Sequence, residues 1–262
     1  MIDSPDAYRE QVRSLRLFDA RCWMGSAPPP RLQHEPRAAS ADELLSLLDC
    51  AGIERAVVFH TLAVHSRTDE GNEIVLREAT GRTRLVPGAA LATDRASAQT
   101  MADLVGRGVR LVSLYPASHG FCLEPWCCGE LLEALEAHRL PVVIPHTEAS
   151  WPAIRRLCLD YPALPVLVEG GQEKLIYHNR AFYPLLRECP NLHLLLHALV
   201  GWRMMDDLVH QFGPQRLLFS SHLPLQDPHA AAGLLVWSEM SEGEKAHVAH
   251  QNLEALISGV KA

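Results

Sequence analysis

The chain contains no apolar run approaching the roughly 20 residues that a membrane-spanning helix needs. Its opening, MIDSPDAYREQVR, mixes acids and bases without the apolar stretch of a secretory leader. No membrane partner is expected, and a cytoplasmic location is. An excess of positive charge is missing as well. Twenty-four basic against 31 acidic side chains give a formal net charge of −7, the wrong sign for an electrostatic nucleic-acid binder. Nor is there an even, regularly spaced set of cysteines. The seven present, at irregular intervals, fit reduced thiols better than a disulfide framework. A Gly-x-Gly-x-x-Gly turn after a strand, a phosphate-loop motif, a Gly-x-Ser-x-Gly elbow and a paired CxxC are all lacking, which argues against nucleotide-cofactor chemistry.

What is present is ample material for a core. The 262 residues are 48% hydrophobic and 21% charged, too apolar for a disordered chain. Short apolar runs at 15–24, 54–61, 85–93, 110–116, 140–146, 164–170, 192–199 and 216–223 alternate with amphipathic stretches. The stretches 40–50, 72–80, 96–105, 129–138, 153–160, 182–188 and 205–212 read as helices. Ser40 with Glu43, and Ser241 with Glu244 at the head of a closing helix over 241–258, have capping-box spacing. Parallel strands need helical crossovers, and eight of them can close without edges, so the pattern predicts an α/β (β/α)8 barrel in one domain, 1–262. An open doubly wound sheet is the runner-up. The proline-rich stretch 25–39 follows the first strand and reads either as an active-site loop or as a solvated connector. Cys127 and Cys128 open a predicted helix and read as a partly buried thiol pair.

In such a barrel the chemistry gathers at the C-terminal strand ends. His60 follows AVVF, His146 follows VVIP, Glu169 follows VLV, His197 follows LHLLL and His222 follows LLFSS. Facing inward at one level, they would surround one cavity with imidazoles and a carboxylate, a set suited to acid/base work or to a divalent metal. The bland readings are a hydrogen-bonded structural histidine at His60 and a plain salt bridge at Glu169. His193 shares the parity of His197, so both face the barrel axis or both face the helices. His119 and His178 are kept as loop contributors.

The segments LRLFDARCWMG, ADELLSLLDCAGIERAVVF, GNEIVLREA, LPVVIPHTE, RLLFSSHLPLQDP and HVAHQNLEALI, in that order, resemble the amidohydrolase superfamily, in the branch that includes aminocarboxymuconate-semialdehyde decarboxylase, resorcylate-type decarboxylases and pyrone-dicarboxylate lactonase. The resemblance covers nearly the whole chain and implies a distorted TIM barrel. In that branch, strand one carries Asp-x-His-x-His, strand five ends in a metal-binding His, strand six in a catalytic His and strand eight in Gly-Ser-Asp-x-Pro. Here Asp19 stands at the family Asp, but Arg21 and Trp23 replace the two histidines. His146 matches the strand-five ligand, Glu169 takes the strand-six position and His222 the strand-eight Asp. Asn252 fits the C-terminal helix signature.

Arginine offers no lone pair to a cation and tryptophan only an N–H, so the strand-one metal position is degenerate by residue type. Arg21 instead suits a substrate carboxylate, and Trp23 an unsaturated ring. Alternation places Arg21, two residues past Asp19, on the same mouth as His222. Three functions follow. The first is a metal-independent hydrolase, lactonase or decarboxylase-like lyase that needs no cofactor and acts on a small anionic, carboxylated and perhaps cyclic molecule. It would use His222, Glu169 and His146 for proton transfer, with Arg21, Trp23, His60 and His197 binding substrate. The second is an enzyme with a relocated, zinc-like divalent metal on His146, Glu169, His197 and His222. The third is a non-catalytic binding or partner protein. A homo-oligomer stays open in each.

Overall fold

Each of the eight apolar runs becomes a parallel strand. In the computed structural model of the chain, residues 4–25, 40–65, 67–95, 98–170, 175–197 and 199–261 are described. The proline-rich loop expected over the mouth falls on 26–39 and so lies outside them, apart from Gly25. The strands are β1 (Phe18–Met24), β2 (Arg55–His60), β3 (Leu85–Leu91), β4 (Leu111–Leu114), β5 (Val142–Pro145), β6 (Val166–Glu169), β7 (Leu192–Leu195) and β8 (Leu217–Leu218). They pair in sequence order, all parallel.

Backbone hydrogen bonds return the last strand to the first: Ala20 N–H to the Phe219 carbonyl at 3.0 Å, His222 N–H to that of Arg21 at 3.1 Å and Trp23 N–H to that of Leu223 at 2.8 Å. The fold is thus the (β/α)8 barrel, not the open sheet. Regular strand eight is shorter than its predicted span, because the 219–223 segment bonds to the β1 backbone only at Phe219, His222 and Leu223 while turning into the site.

Strand alternation divides the core into two layers. Phe18, Val57, Leu111, Val143, Leu167 and Leu218 fill the barrel. Val58, Val112, Val142, Val166, Leu194 and Leu217 face out beneath the helices, so these strands are buried on both faces, as parallel sheets demand. Leu111 and Leu167 share their inward face with Ser113 and Glu169, two and two residues on, so the same alternation that builds the core aims polar groups up the axis.

Both capping boxes form, at Ser40 and at Ser241. Besides the short helix Thr61–His65, two helices outside the predicted set are present, Pro5–Ser14 and Pro228–Val236. Each has Pro in its first turn after a capping side chain, Ser4 and Asp227. The first turns Tyr8, Val12 and Leu15 to one side against the core, and the second is apolar nearly all round and shows no stripe. The closing helical segment docks through Asn252, whose amide donates to the Pro214 and Leu217 carbonyls at 2.8 Å each.

Candidate active site

The site begins with a bulge. Phe18 and Asp19 pair with Arg55 and Ala56, but Cys22, Trp23 and Met24 pair with Val58, Phe59 and His60, so β1 uses one residue more than β2 between the two stretches. Parity shifts there: Ala20 and Trp23 belong to the barrel interior, Cys22 to the outer layer. Alternation alone placed Arg21 and Asp19 on one face. The bulge instead sends Arg21 across the barrel, while Asp19 turns to Ser221.

Arg21 is fully buried. Its guanidinium lies 4.4 Å from the Trp23 ring centroid and 4.3 Å from that of Phe59, with the two centroids 6.0 Å apart, an aromatic corner that suits a weakly hydrated planar cation. The Nη groups donate to Ser113 Oγ, to the Tyr115 hydroxyl and, at 3.0 Å, to Glu169 Oε1. The other carboxylate oxygen, Oε2, stands 3.2 Å from His222 Nε2. His222 stacks on His197, with centroids 4.1 Å apart and planes at 23°, and meets Trp23 edge-on at 5.6 Å. His197 Nδ1 is 2.9 Å from Ser220 Oγ. Its Nε2 is buried and has no hydrogen-bond partner among the described residues.

Charge and burial set the protonation states. Burial alone would raise the Glu169 carboxyl, but the Arg21 guanidinium, with His222 beside it, holds it well below the usual carboxylate range. Burial pushes His197 far down, reinforced by His222, so its imidazole is neutral. Tyr115 is pushed up to about 12, chiefly by burial, and stays a neutral phenol. Asp19 is pushed up to about 6 by burial, against hydrogen bonds from Ser221 and the Arg21 N–H.

The ligand atoms of Glu169, His197 and His222 all lie within 4.8 Å of one another, a group able to hold a metal ion. Two imidazoles and a carboxylate are a donor set for zinc, iron or manganese. The contact between Ser220 and His197 Nδ1 is the outer hydrogen bond that orients a ligating imidazole. Of the residues singled out from sequence, the structure therefore brings together Arg21, Trp23, Glu169, His197 and His222.

His146 stands at the edge of this group. Its Nδ1 is 3.1 Å from the Glu169 carbonyl oxygen, and its ring lies 4.7 Å from that of His178 and 6.1 Å from that of Trp151. His60, at the end of β2, accepts the Leu62 N–H on Nδ1 at 3.1 Å and is not in the metal-ligating group; burial lowers its pKa. His193 shares the inward parity of Leu195, at the opposite end of β7, with Nδ1 3.0 Å from the Gln215 carbonyl. His119 sits with Nε2 3.0 Å from the Val64 carbonyl. Cys128 is buried and its thiol pushed up to about 11 by that burial, while Cys127 is half-buried, the partly buried pair expected.

Sequence reading did not single out Ser113, Tyr115 or Phe59, and it met Ser220 and Ser221 only as the residues that stand, with His222 and Pro224, at the strand-eight motif, without a role. For Ser113 and Tyr115 a signal existed, since both alternate with Leu111 on the inward face of one run. For Ser221 the position was marked by the strand-eight motif, but its bond to Asp19 was not, because that contact forms only when the barrel closes.

The family model described as amidohydrolase matches residues 19–257. No curated protein matches the sequence. Among solved structures, the dihydroxybenzoic acid decarboxylase of Polaromonas sp. JS666, holding manganese and the inhibitor 2-nitroresorcinol, aligns with TM-score 0.70 at 14% identity, over 92% of this chain and 96% of that one. The 5-carboxyvanillate decarboxylase of Sphingomonas paucimobilis aligns with TM-score 0.68 at 13% identity, over 93% and 99%. A probable 2-pyrone-4,6-dicarboxylic acid hydrolase of Acinetobacter baumannii, with citric acid bound, aligns with TM-score 0.66 at 15% identity, over 93% and 99%. At these identities the likeness is one of fold.

Proposed function

The chain belongs to the amidohydrolase family, and on that footing we propose that it is an enzyme, a lyase or hydrolase, acting on a small carboxylated ring compound at the mouth of one barrel domain spanning residues 1–262. The observation that carries this reading is the convergence of Glu169, His197 and His222 on one point. We propose further that these three hold a divalent cation. The buried, unpartnered Nε2 of His197 supports this, as does the manganese in the Polaromonas decarboxylase. Such an ion would supply Lewis-acid polarisation of a substrate oxygen.

The chain's own residues supply the rest. Arg21 grips one oxygen of Glu169 and so keeps the carboxylate ionised and oriented. Trp23 Nε1 is buried without a hydrogen-bond partner among the described residues, and its N–H is a donor for a substrate carboxylate. Substrate contact by Arg21 itself is indirect in this reading, since the guanidinium is fully enclosed. His146, oriented by the Glu169 carbonyl, carries the proton to or from the ring.

A second reading keeps the same residues without a metal: His222, whose Nε2–H donates to the ionised Glu169, takes the proton at Nδ1, and Glu169 stabilises the imidazolium. The ion pair between Arg21 and Glu169 favours it, because it already neutralises the carboxylate a cation would need.

The test incubates purified protein, with added Mn2+ or after EDTA, with 2,6-dihydroxybenzoate, 5-carboxyvanillate and 2-pyrone-4,6-dicarboxylate, following loss of CO2 or ring opening. Turnover that needs Mn2+ and disappears in Glu169→Gln supports the first reading. Turnover that survives EDTA supports the second. No turnover of any of them, in protein that binds Mn2+, favours a binding or partner role.

A further inference from the structure

We infer that Asp19 is a positioning residue, which through Ser221 fixes the strand-eight corner that presents His222. The inference rests on the reading of His222 as a site residue, and it adds a group outside the cluster that holds the cluster in shape.

Asp19 is fully buried. Its carboxylate accepts the Arg21 N–H at 2.8 Å, the Ser221 N–H at 3.1 Å to each oxygen, and the Ser221 hydroxyl. Ser221 Oγ in turn accepts the Leu223 N–H at 3.1 Å. The residues on both sides of His222 are thereby tied to one carboxylate. His222 itself has φ of 62°, a left-handed conformation that residues with a Cβ rarely adopt. It persists only where the surroundings impose it.

Closing the barrel does not require a buried carboxylate at this point, because backbone hydrogen bonds at Ala20, Trp23 and His222 already join the two strands. What the carboxylate adds is control of two backbone positions at once. It takes the Arg21 N–H on one strand and the Ser221 corner on the other. Arg21 and His222 are the two groups that face the two oxygens of Glu169, at 3.0 and 3.2 Å. A shift of the corner would move His222 off Glu169 and off its stack with His197, while Asp19 touches none of the three.

The experiment compares full-length protein with Asp19→Asn, Ser221→Ala and the double variant, labelled with 15N in the histidine rings. The His222 signal is assigned by its loss in His222→Gln. The expected result is that the His222 imidazole signals shift in each variant while those of His60 and His193 hold. Mn2+ affinity should fall about tenfold, as for loss of a group that orients metal ligands. The double variant should be no weaker than the worse single one, because both act along one path. Ser221→Thr, which keeps the hydroxyl, should restore the His222 signals.

An unmoved His222 signal in folded Ser221→Ala overturns the inference. Should the parent protein bind no Mn2+, the cation reading fails, and the imidazole signals still decide the role of Asp19. Should Asp19→Asn not fold, Ser221→Ala decides alone, since it leaves the backbone donors to Asp19 in place.

Discussion

Glu169 remains ionised inside the barrel because Arg21 faces one of its oxygens and His222 the other. Removing the charge leaves a buried guanidinium without its carboxylate, so Glu169→Gln should lower the unfolding free energy by about 3–5 kcal/mol in chemical denaturation. The sign of its pH dependence follows from the lowered carboxyl. The contribution is complete above the unfolded value of 4.5 and is lost as the pH falls from there towards the native value. The stability difference between the parent and Glu169→Gln should therefore be flat from about pH 7 to 5 and shrink below about 4.5. Asp19 behaves oppositely. Its carboxyl is raised from 3.8 to about 6, so its stabilising proton is fully bound below 3.8 and lost as the pH rises through 6. A carboxyl 13C titration should place its midpoint near 6; a midpoint under 4 would refute the burial argument. At this scale Glu169 and His222 were legible because a polar residue closing an apolar run stands out. The pairing of Arg21 was not, because Ser113 and Tyr115 lie 92 and 94 residues away and Glu169 148, and they meet it only when the barrel is closed.

Elements carry the precision that residues need. Gly88 on β3 faces the ring of Phe59, and a Cβ there would sit 2.5 Å from its Cε1. Phe59 is one wall of the aromatic corner that holds Arg21. Gly88→Ala should push that wall aside and cost about 1–3 kcal/mol by overpacking, read as a lowered midpoint in urea with an unchanged slope. Asn252 binds the closing helical segment to the start of β8 through two carbonyls. Asn252→Ala, which strands buried acceptors, should cost about 1–3 kcal/mol in the same assay. The sequence order of strands and most helices could be read from period and capping, because each run is buried on both faces and most crossover helices show a stripe. The β1 bulge could not be read, since an inserted residue changes pairing and leaves composition untouched. It decides the direction of Arg21, which simple alternation had placed with Asp19.

At the scale of the molecule, eight alternating units of this length leave a closed barrel as the economical solution, and the family match over residues 19–257 agrees with it. No helix among the described residues is long and apolar enough to cross a membrane. The barrel converts eight separated strand ends into one ring, which is why residues as distant as Arg21, Ser113, Glu169, His197 and His222 meet. The choice between metal-free and metal-assisted chemistry was the least legible feature. It turns on whether a buried arginine beside Glu169 leaves the carboxylate able to hold a cation, a balance of charges that residue types alone do not fix. The most direct measurement is a Mn2+ titration of the purified protein followed by electron paramagnetic resonance. One saturable site per chain is expected, abolished in His197→Ala and in Glu169→Gln. Absence of saturable binding, or a site that survives both substitutions, would contradict it.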